Sequence, residues 1–169
     1  MKKVKSNKKH YVLISGIVVL ICCAIFSAIN ISQKMDRDDI NISPLATNEI
    51  LYTDAKNALK EINADTFLVV SYTGDATIHK TEKDIEKYLK RVNLLDNVMY
   101  LDAKLYIGKE NYIDDLNKLL KLDDTNKISK LPAVIFYKDG SISEVRDSKK
   151  SMINKDTFKK YIDNNGLAS

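Results

Sequence analysis

The segment from Leu131 to Gly140 constrains the fold more than any other stretch of the sequence. Pro132 precedes five consecutive apolar residues, and Asp139-Gly140 follows them after one lysine. A proline can begin a strand because it has no N–H to give to the ladder, and Asp-Gly supplies the positive φ angles of a short hairpin turn. We therefore predict a buried strand over 133–137, a tight turn, and a partner strand over 141–145. A strand with no polar face needs helices on both sides of its sheet.

The first 32 residues have the pattern of a membrane anchor. Five lysines lie within residues 1–10, and residues 11–32 contain no charged side chain. At a rise of about 1.5 Å per residue, roughly 20 apolar residues cross a hydrocarbon core of about 30 Å. The lysines before the span predict a cytoplasmic N-terminus and an extracytoplasmic C-terminal part in a single-pass protein of the cell membrane. The alternative is a cleaved signal peptide, for which Ala24, Ser27 and Ala28 offer small residues near the exit.

Cys22 and Cys23 are the only cysteines of the chain, and both lie inside the predicted span. We interpret them as small apolar residues, with acylation or a disulfide between two copies as the alternatives. The segment that follows the span has no cysteine. It can therefore form no internal disulfide, no thiolate metal site and no cysteine nucleophile.

Composition divides the remainder into a tether and one domain. Residues 33–46 are polar and acidic, with Ser43-Pro44 breaking any continuous helix, and residues 47–169 have the size of a single domain. Without the five N-terminal lysines, 22 basic residues face 23 acidic ones. The signs are interspersed and form no basic stripe, so nucleic acid is not an expected partner. The pattern leaves the oligomeric state open.

Hydrophobic periodicity predicts the element order βαβαβαββα for the domain. The expected strands cover 50–52, 67–72, 98–101, 133–137 and 141–145. The expected helices are a first one capped by Thr53, a long one over 77–92, one over 111–122, and a last one capped by Asn154. An α/β domain with a central sheet follows from this alternation.

This order, together with Pro132 and the Asp139-Gly140 turn, resembles the thioredoxin superfamily. The resemblance implies a thioredoxin-like fold, a central mixed sheet with helices on both faces, and a cis bond between Leu131 and Pro132. Thioredoxin-like oxidoreductases carry a Cys-x-x-Cys pair where the long helix begins, since the helix N-terminus favours the attacking thiolate. Residues 72–81 occupy that place here and contain no cysteine. We therefore expect no thiol–disulfide oxidoreductase activity.

A binding role does not depend on the missing cysteines. In this superfamily the main chain of the residue before the cis-proline pairs with an extended peptide, and Leu131 is that residue here. The main hypothesis is a membrane-anchored, redox-inactive domain that binds or assists an envelope or secreted polypeptide. It is similar to the bacterial thioredoxin-like accessory proteins associated with bacteriocin export, and it implies no cofactor and no metal. The expected partner site consists of Tyr72, Thr73, Gly74, Asp75, Ala76, His79, Leu131 and Pro132.

Two other functions stay open. Asp75 and His79 could act together as a general base or bind a metal, but His79 is the only histidine of the domain and no further ligand accompanies it. The simpler interpretation is that Asp75 or Thr77 caps the long helix and that His79 is solvated on its first turn. The other alternative is a scaffold that acts through its transmembrane helix, with Ser15-Gly16 as a close-packing point.

Overall fold

The computed structural model describes residues 39–167. The predicted basic tail, the predicted span and residues 33–38 of the predicted tether lie outside the described residues. Among the helices found between residues 39 and 167, none has the length and apolar character needed to cross a membrane.

The described residues alternate strands and helices in the predicted order, which is confirmed. The strands are β1 Glu49–Ile50, β2 Thr66–Ser71, β3 Val98–Asp102, β4 Ala133–Lys138 and β5 Ser141–Asp147, and the helices are α1 Ala55–Ala58, α2 Ala76–Arg91, α3 Tyr112–Leu119 and α4 Lys155–Asn165. They form one sheet in the order β1-β3-β2-β4-β5. The first three strands are parallel, whereas β4 runs antiparallel to both β2 and β5. The mixed sheet is therefore also confirmed.

The central strands bury both of their faces, because successive side chains of a strand point to opposite sides. Phe67 and Val69 of β2 join one core cluster, whereas Leu68 and Val70 join another. Helices α2 and α4 cover the first cluster, for example with Leu89 and Phe158. Helices α1 and α3 cover the second, with Ala55 and Leu116. The expected layers of helix on both faces of the sheet are present.

The turn between β4 and β5 forms as predicted. Asp139 and Gly140 both have positive φ angles, of 49° and 77°. The main-chain N–H of Asp139 donates to the Asp65 carboxylate at 3.0 Å. The peptide bond between Leu131 and Pro132 is cis, as the resemblance implied.

Several details differ from the sequence-based expectations. β1 covers Glu49–Ile50 rather than 50–52, and α3 covers Tyr112–Leu119 rather than 111–122. The residue that precedes α1 is Asp54 and not Thr53, and it makes no capping hydrogen bond, so the predicted Thr53 cap is wrong. The packed domain also begins before residue 47. Ser43 and Leu45 are 6% and 0% exposed, and Leu45 belongs to the first core cluster. The sequence-based interpretation missed Leu45 because the predicted tether around it is polar and includes Pro44.

Candidate functional site

The N-terminus of α2 carries Asp75 and Ala76, two residues of the partner site expected from the sequence. Asp75 precedes the helix with extended backbone angles, and its carboxylate accepts hydrogen bonds from the N–H groups of Thr77 and Ile78 at 2.8 and 3.0 Å. The predicted Asp75 cap is confirmed. A helix N-terminus carries partial positive charge and unsatisfied N–H groups, which favour an anion. Here a carboxylate of the chain itself is that anion.

The loop that leads into α2 is tied to two neighbouring segments. Gly74 adopts a φ angle of +96°, which side-chain-bearing residues rarely adopt. Its N–H donates to the carbonyl of Ile40 at 2.7 Å. The Thr73 hydroxyl donates to the Asp102 carboxylate at 2.8 Å. The loop therefore lies between the N-terminal segment and the end of β3.

Leu131 and Pro132 lie across from this loop, next to the end of β2. Val70 pairs with Ala133, so continuing the antiparallel register places Leu131 opposite Tyr72. Tyr72 is half-buried, whereas Leu131 is only 4% exposed and Pro132 is buried. Among the described residues, no hydrogen bond outside the sheet ladder involves the main-chain N–H or C=O of Leu131. Buried main-chain groups are normally paired, so this position has hydrogen-bonding capacity left over.

His79 does not lie where the sequence-based interpretation placed it. Its side chain is 9% exposed rather than solvated, because it belongs to the inward side of α2. It interacts electrostatically with Glu82, whereas the carboxylate of Asp75 binds the helix N-terminus. No group of three or more His, Cys, Asp or Glu side chains within residues 39–167 is placed to hold a metal ion.

Glu82 is a buried carboxyl group that the sequence-based interpretation missed. It is 4% exposed, and it accepts hydrogen bonds from the hydroxyls of Ser43 and Ser71, both at 2.6 Å. The Tyr100 hydroxyl lies 3.5 Å from the same carboxyl. Burial raises the pKa of Glu82 above its ordinary value of 4.5, while the hydrogen bonds and the proximity of His79 act in the opposite direction.

This polar cluster joins three parts of the domain. Ser43 comes from the N-terminal segment, Ser71 from the end of β2, and Glu82 from the second turn of α2. The arrangement is closed to solvent, so its role is to fix these parts relative to one another. A signal did exist in the sequence: Glu82 stands between Ile78 and Ile85 at helical spacing, where an apolar residue is expected.

The same end of the sheet exposes large apolar side chains. Leu51 follows β1 and is 63% exposed, and Leu105 follows β3 and is 80% exposed. Between them Tyr52 and Tyr106 stack with ring centroids 3.7 Å apart, and the four side chains line one shallow depression. No part of the sequence-based hypothesis included this surface. The local sequence signal for this surface is the apolar and aromatic run Leu105-Tyr106-Ile107 in the segment after β3.

No protein-family model and no curated protein matches the chain. Solved structures that match include mitochondrial thioredoxin 3 from Saccharomyces cerevisiae, with 15% identity over 69% of this chain and 93% of that one, at a TM-score of 0.43. Thioredoxin O1 from Arabidopsis thaliana matches with 13% identity, 70% and 97% coverage and a TM-score of 0.44. Thioredoxin from Aeropyrum pernix matches with 16% identity, 74% and 90% coverage and a TM-score of 0.41. At these identities and TM-scores, the likeness says nothing about activity or partners.

Proposed function

We propose that this chain is a membrane-anchored, thioredoxin-like domain that binds an envelope or secreted polypeptide without thiol chemistry. The observation that carries the proposal is the Asp75 carboxylate at the N-terminus of α2. It accepts the N–H groups of Thr77 and Ile78, which would otherwise stabilise a thiolate. With no cysteine in residues 39–167, the position has the geometry of a helix cap and offers no thiol nucleophile.

Main-chain pairing supports the binding part of the proposal. The N–H and C=O of Leu131 have hydrogen-bonding capacity left, and strand addition needs only such groups. Because Leu131 and Pro132 are buried, a partner first meets the loop from Tyr72 to Ala76, whose residues are half-buried or exposed. We propose that an extended segment contacts this loop and reaches Leu131 when the loop moves aside.

The anchor is the second part of the proposal. Residues 11–32 carry no charge, and the five lysines before them favour a cytoplasmic N-terminus. The domain then lies outside the cytoplasmic membrane, where its partner is an envelope or exported polypeptide. The absence of cysteine from residues 39–167 is compatible with a role that needs no redox partner.

Site-specific photocrosslinking in the native membrane tests the proposal. A photoreactive residue replaces exposed Ala76 at the loop, and a matched one replaces exposed Ser141 at the opposite end of the sheet. We expect a polypeptide partner that is captured from position 76, is not captured from position 141, and is reduced by Tyr72→Ala. Identical captures from both positions would contradict the proposal. Contacts confined to residues 11–32 would instead favour the scaffold that acts through its transmembrane helix.

A further inference from the structure

The exposed large apolar residues of the described chain are all at one end of the sheet. They are Ile40, Ile42, Leu51, Leu105 and Ile107, with exposed fractions between 39% and 80%. Contacts connect the segments that carry them to one another and to the loop before α2. The Gly74 N–H binds the Ile40 carbonyl, the Lys104 ammonium binds the Asn41 side-chain oxygen at 3.0 Å, and Leu51 and Leu105 line one depression. We call these five residues the apolar rim.

Water-exposed apolar residues are ordinary when they are scattered, but a cluster marks a contact surface. The side chains around the apolar rim indicate what kind of surface it contacts. Tyr52 and Tyr106 stack beside it, and the ammonium of Lys109 lies 4.2 Å from the centre of the Tyr106 ring. Tyrosine is enriched at the boundary between lipid and water, and lysine places its alkyl stem in apolar surroundings while its charge stays at the headgroups.

The place where the chain enters the domain also favours contact with a membrane. The described domain begins at Asp39, directly before rim residue Ile40. The predicted span ends at Ser32, so residues 33–38 are the only connection between them. At an upper limit of about 3.5 Å per residue, that connection is no longer than roughly 20 Å. The rim belongs to the part of the domain where this short connection enters.

We propose that the apolar rim docks the domain onto the outer surface of the membrane, with Leu105 and Ile107 entering the interfacial region of the bilayer. This inference rests on the membrane anchor of the proposed function. Docking presents the loop from Tyr72 to Ala76 beside the membrane surface, because Gly74 and Ile40 are hydrogen-bonded to each other. Lys104 and Lys109 lie in the segment that carries Leu105 and Ile107, and their charges would lie at the level of the headgroups.

The chain contains no tryptophan, so a single introduced tryptophan reports its own surroundings. Leu105→Trp and Leu51→Trp place the reporter in two separate loops of the rim, and Ser141→Trp places it at the opposite end of the sheet. Each full-length variant is reconstituted into vesicles of phosphatidylcholine and phosphatidylglycerol, with and without acyl chains brominated near the headgroup. We expect loss of emission by bromine quenching for both rim variants and none for Ser141→Trp.

Alkaline carbonate extraction of the same vesicles separates this inference from the anchor. If the chain resists extraction and the rim variants are not quenched, docking is overturned and the anchor stands. If the chain is extracted, both the anchor and the docking that depends on it are overturned. A blue-shifted but unquenched emission that depends on the protein-to-lipid ratio would assign the rim to a second copy of the chain and would also overturn docking.

Discussion

The two ends of the sheet differ in how far their main-chain groups are paired and their apolar side chains are buried. At the hairpin end, Gly140 packs against the carbonyl of Ile62, and the Asp139 N–H donates to Asp65. At the loop end, where β1, β2 and β3 finish, apolar side chains such as Leu105 stay exposed and the main chain of Leu131 keeps hydrogen-bonding capacity. At the hairpin end these groups have their partners within the domain. The loop end keeps unpaired main-chain groups and exposed apolar side chains, and this difference is our reason for proposing that a partner binds there.

The largest expected effect comes from filling the tight hairpin end with one methyl group. A Cβ at position 140 would lie 2.7 Å from the main-chain oxygen of Ile62, and the φ of +77° disfavours any side chain. Overpacking and left-handed strain together should make Gly140→Ala cost about 3 kcal/mol of the free energy of unfolding. Urea unfolding of the full-length chain in detergent, followed by circular dichroism, measures it.

The matched substitution at the loop end is Gly108→Ala. Gly108 also has a positive φ, of +89°, but a Cβ there would meet nothing within 4 Å. Only the strain of a side chain in the left-handed backbone conformation remains, so Gly108→Ala should lower the free energy of unfolding by about 1 kcal/mol. Equal costs at positions 140 and 108 would contradict the difference in packing between the two ends.

The next effect is a pH dependence that originates beneath the loop end. Burial raises the pKa of Glu82 in the folded domain above 4.5, so the folded state holds its proton at pH values where the unfolded state has released it. Stability should therefore fall as the pH rises from about 4.5 through the folded pKa, with a limiting slope of about 1.4 kcal/mol per pH unit for one proton. Above the folded pKa the contribution of Glu82 is constant.

Glu82→Gln removes this proton while keeping the size and hydrogen-bonding capacity of the side chain. We expect the difference in unfolding free energy between this variant and the parent chain to change with pH in that window. Asp84→Asn is the control, because Asp84 is exposed on the same helix. A pH profile that Glu82→Gln leaves unaltered, or that Asp84→Asn alters equally, would show that the buried carboxyl is not the source.

The hairpin end could be predicted from sequence because its signals are local. Asp139-Gly140 encodes its own turn, and Asp75 encodes its own cap, since each acts on main-chain groups within a few residues. The cis bond before Pro132 came from the resemblance to a superfamily, because the dipeptide alone favours trans.

The loop end could be predicted only in part, because its partners are distant in sequence. Glu82 can be buried because the hydroxyls of Ser43 and Ser71 donate hydrogen bonds to it. These partners are distant in sequence, so no local pattern predicts the arrangement. A charged residue is expected at the surface unless it is paired, so its inward position was missed. His79 was wrongly expected in solvent for the same reason. The exposed rim residue Leu105 was missed because an apolar residue in a loop carries no periodic signal.

A smaller effect concerns the N-terminus of α2. Asp75→Ala removes the acceptor of the Thr77 and Ile78 N–H groups, and it should cost about 1 kcal/mol, the usual value of an N-cap. Asp75→Ser is the matched control, because serine also caps helices and should restore most of the loss. If serine and alanine were equally destabilising, the charge of Asp75 rather than its hydrogen bonds would be the stabilising feature.

The smallest expected effect on stability is at the rim, and it is the most informative about function. Leu105 is 80% exposed, so Leu105→Ser should change the free energy of unfolding in detergent by less than about 0.5 kcal/mol. Leu101→Ser, a few residues earlier in β3 and 0% exposed, should cost several times more because it places an unpaired hydroxyl in the core. A large loss for Leu105→Ser would mean that this side chain stabilises the domain itself. A negligible loss would show that Leu105 does not stabilise the domain, which the docking proposal requires.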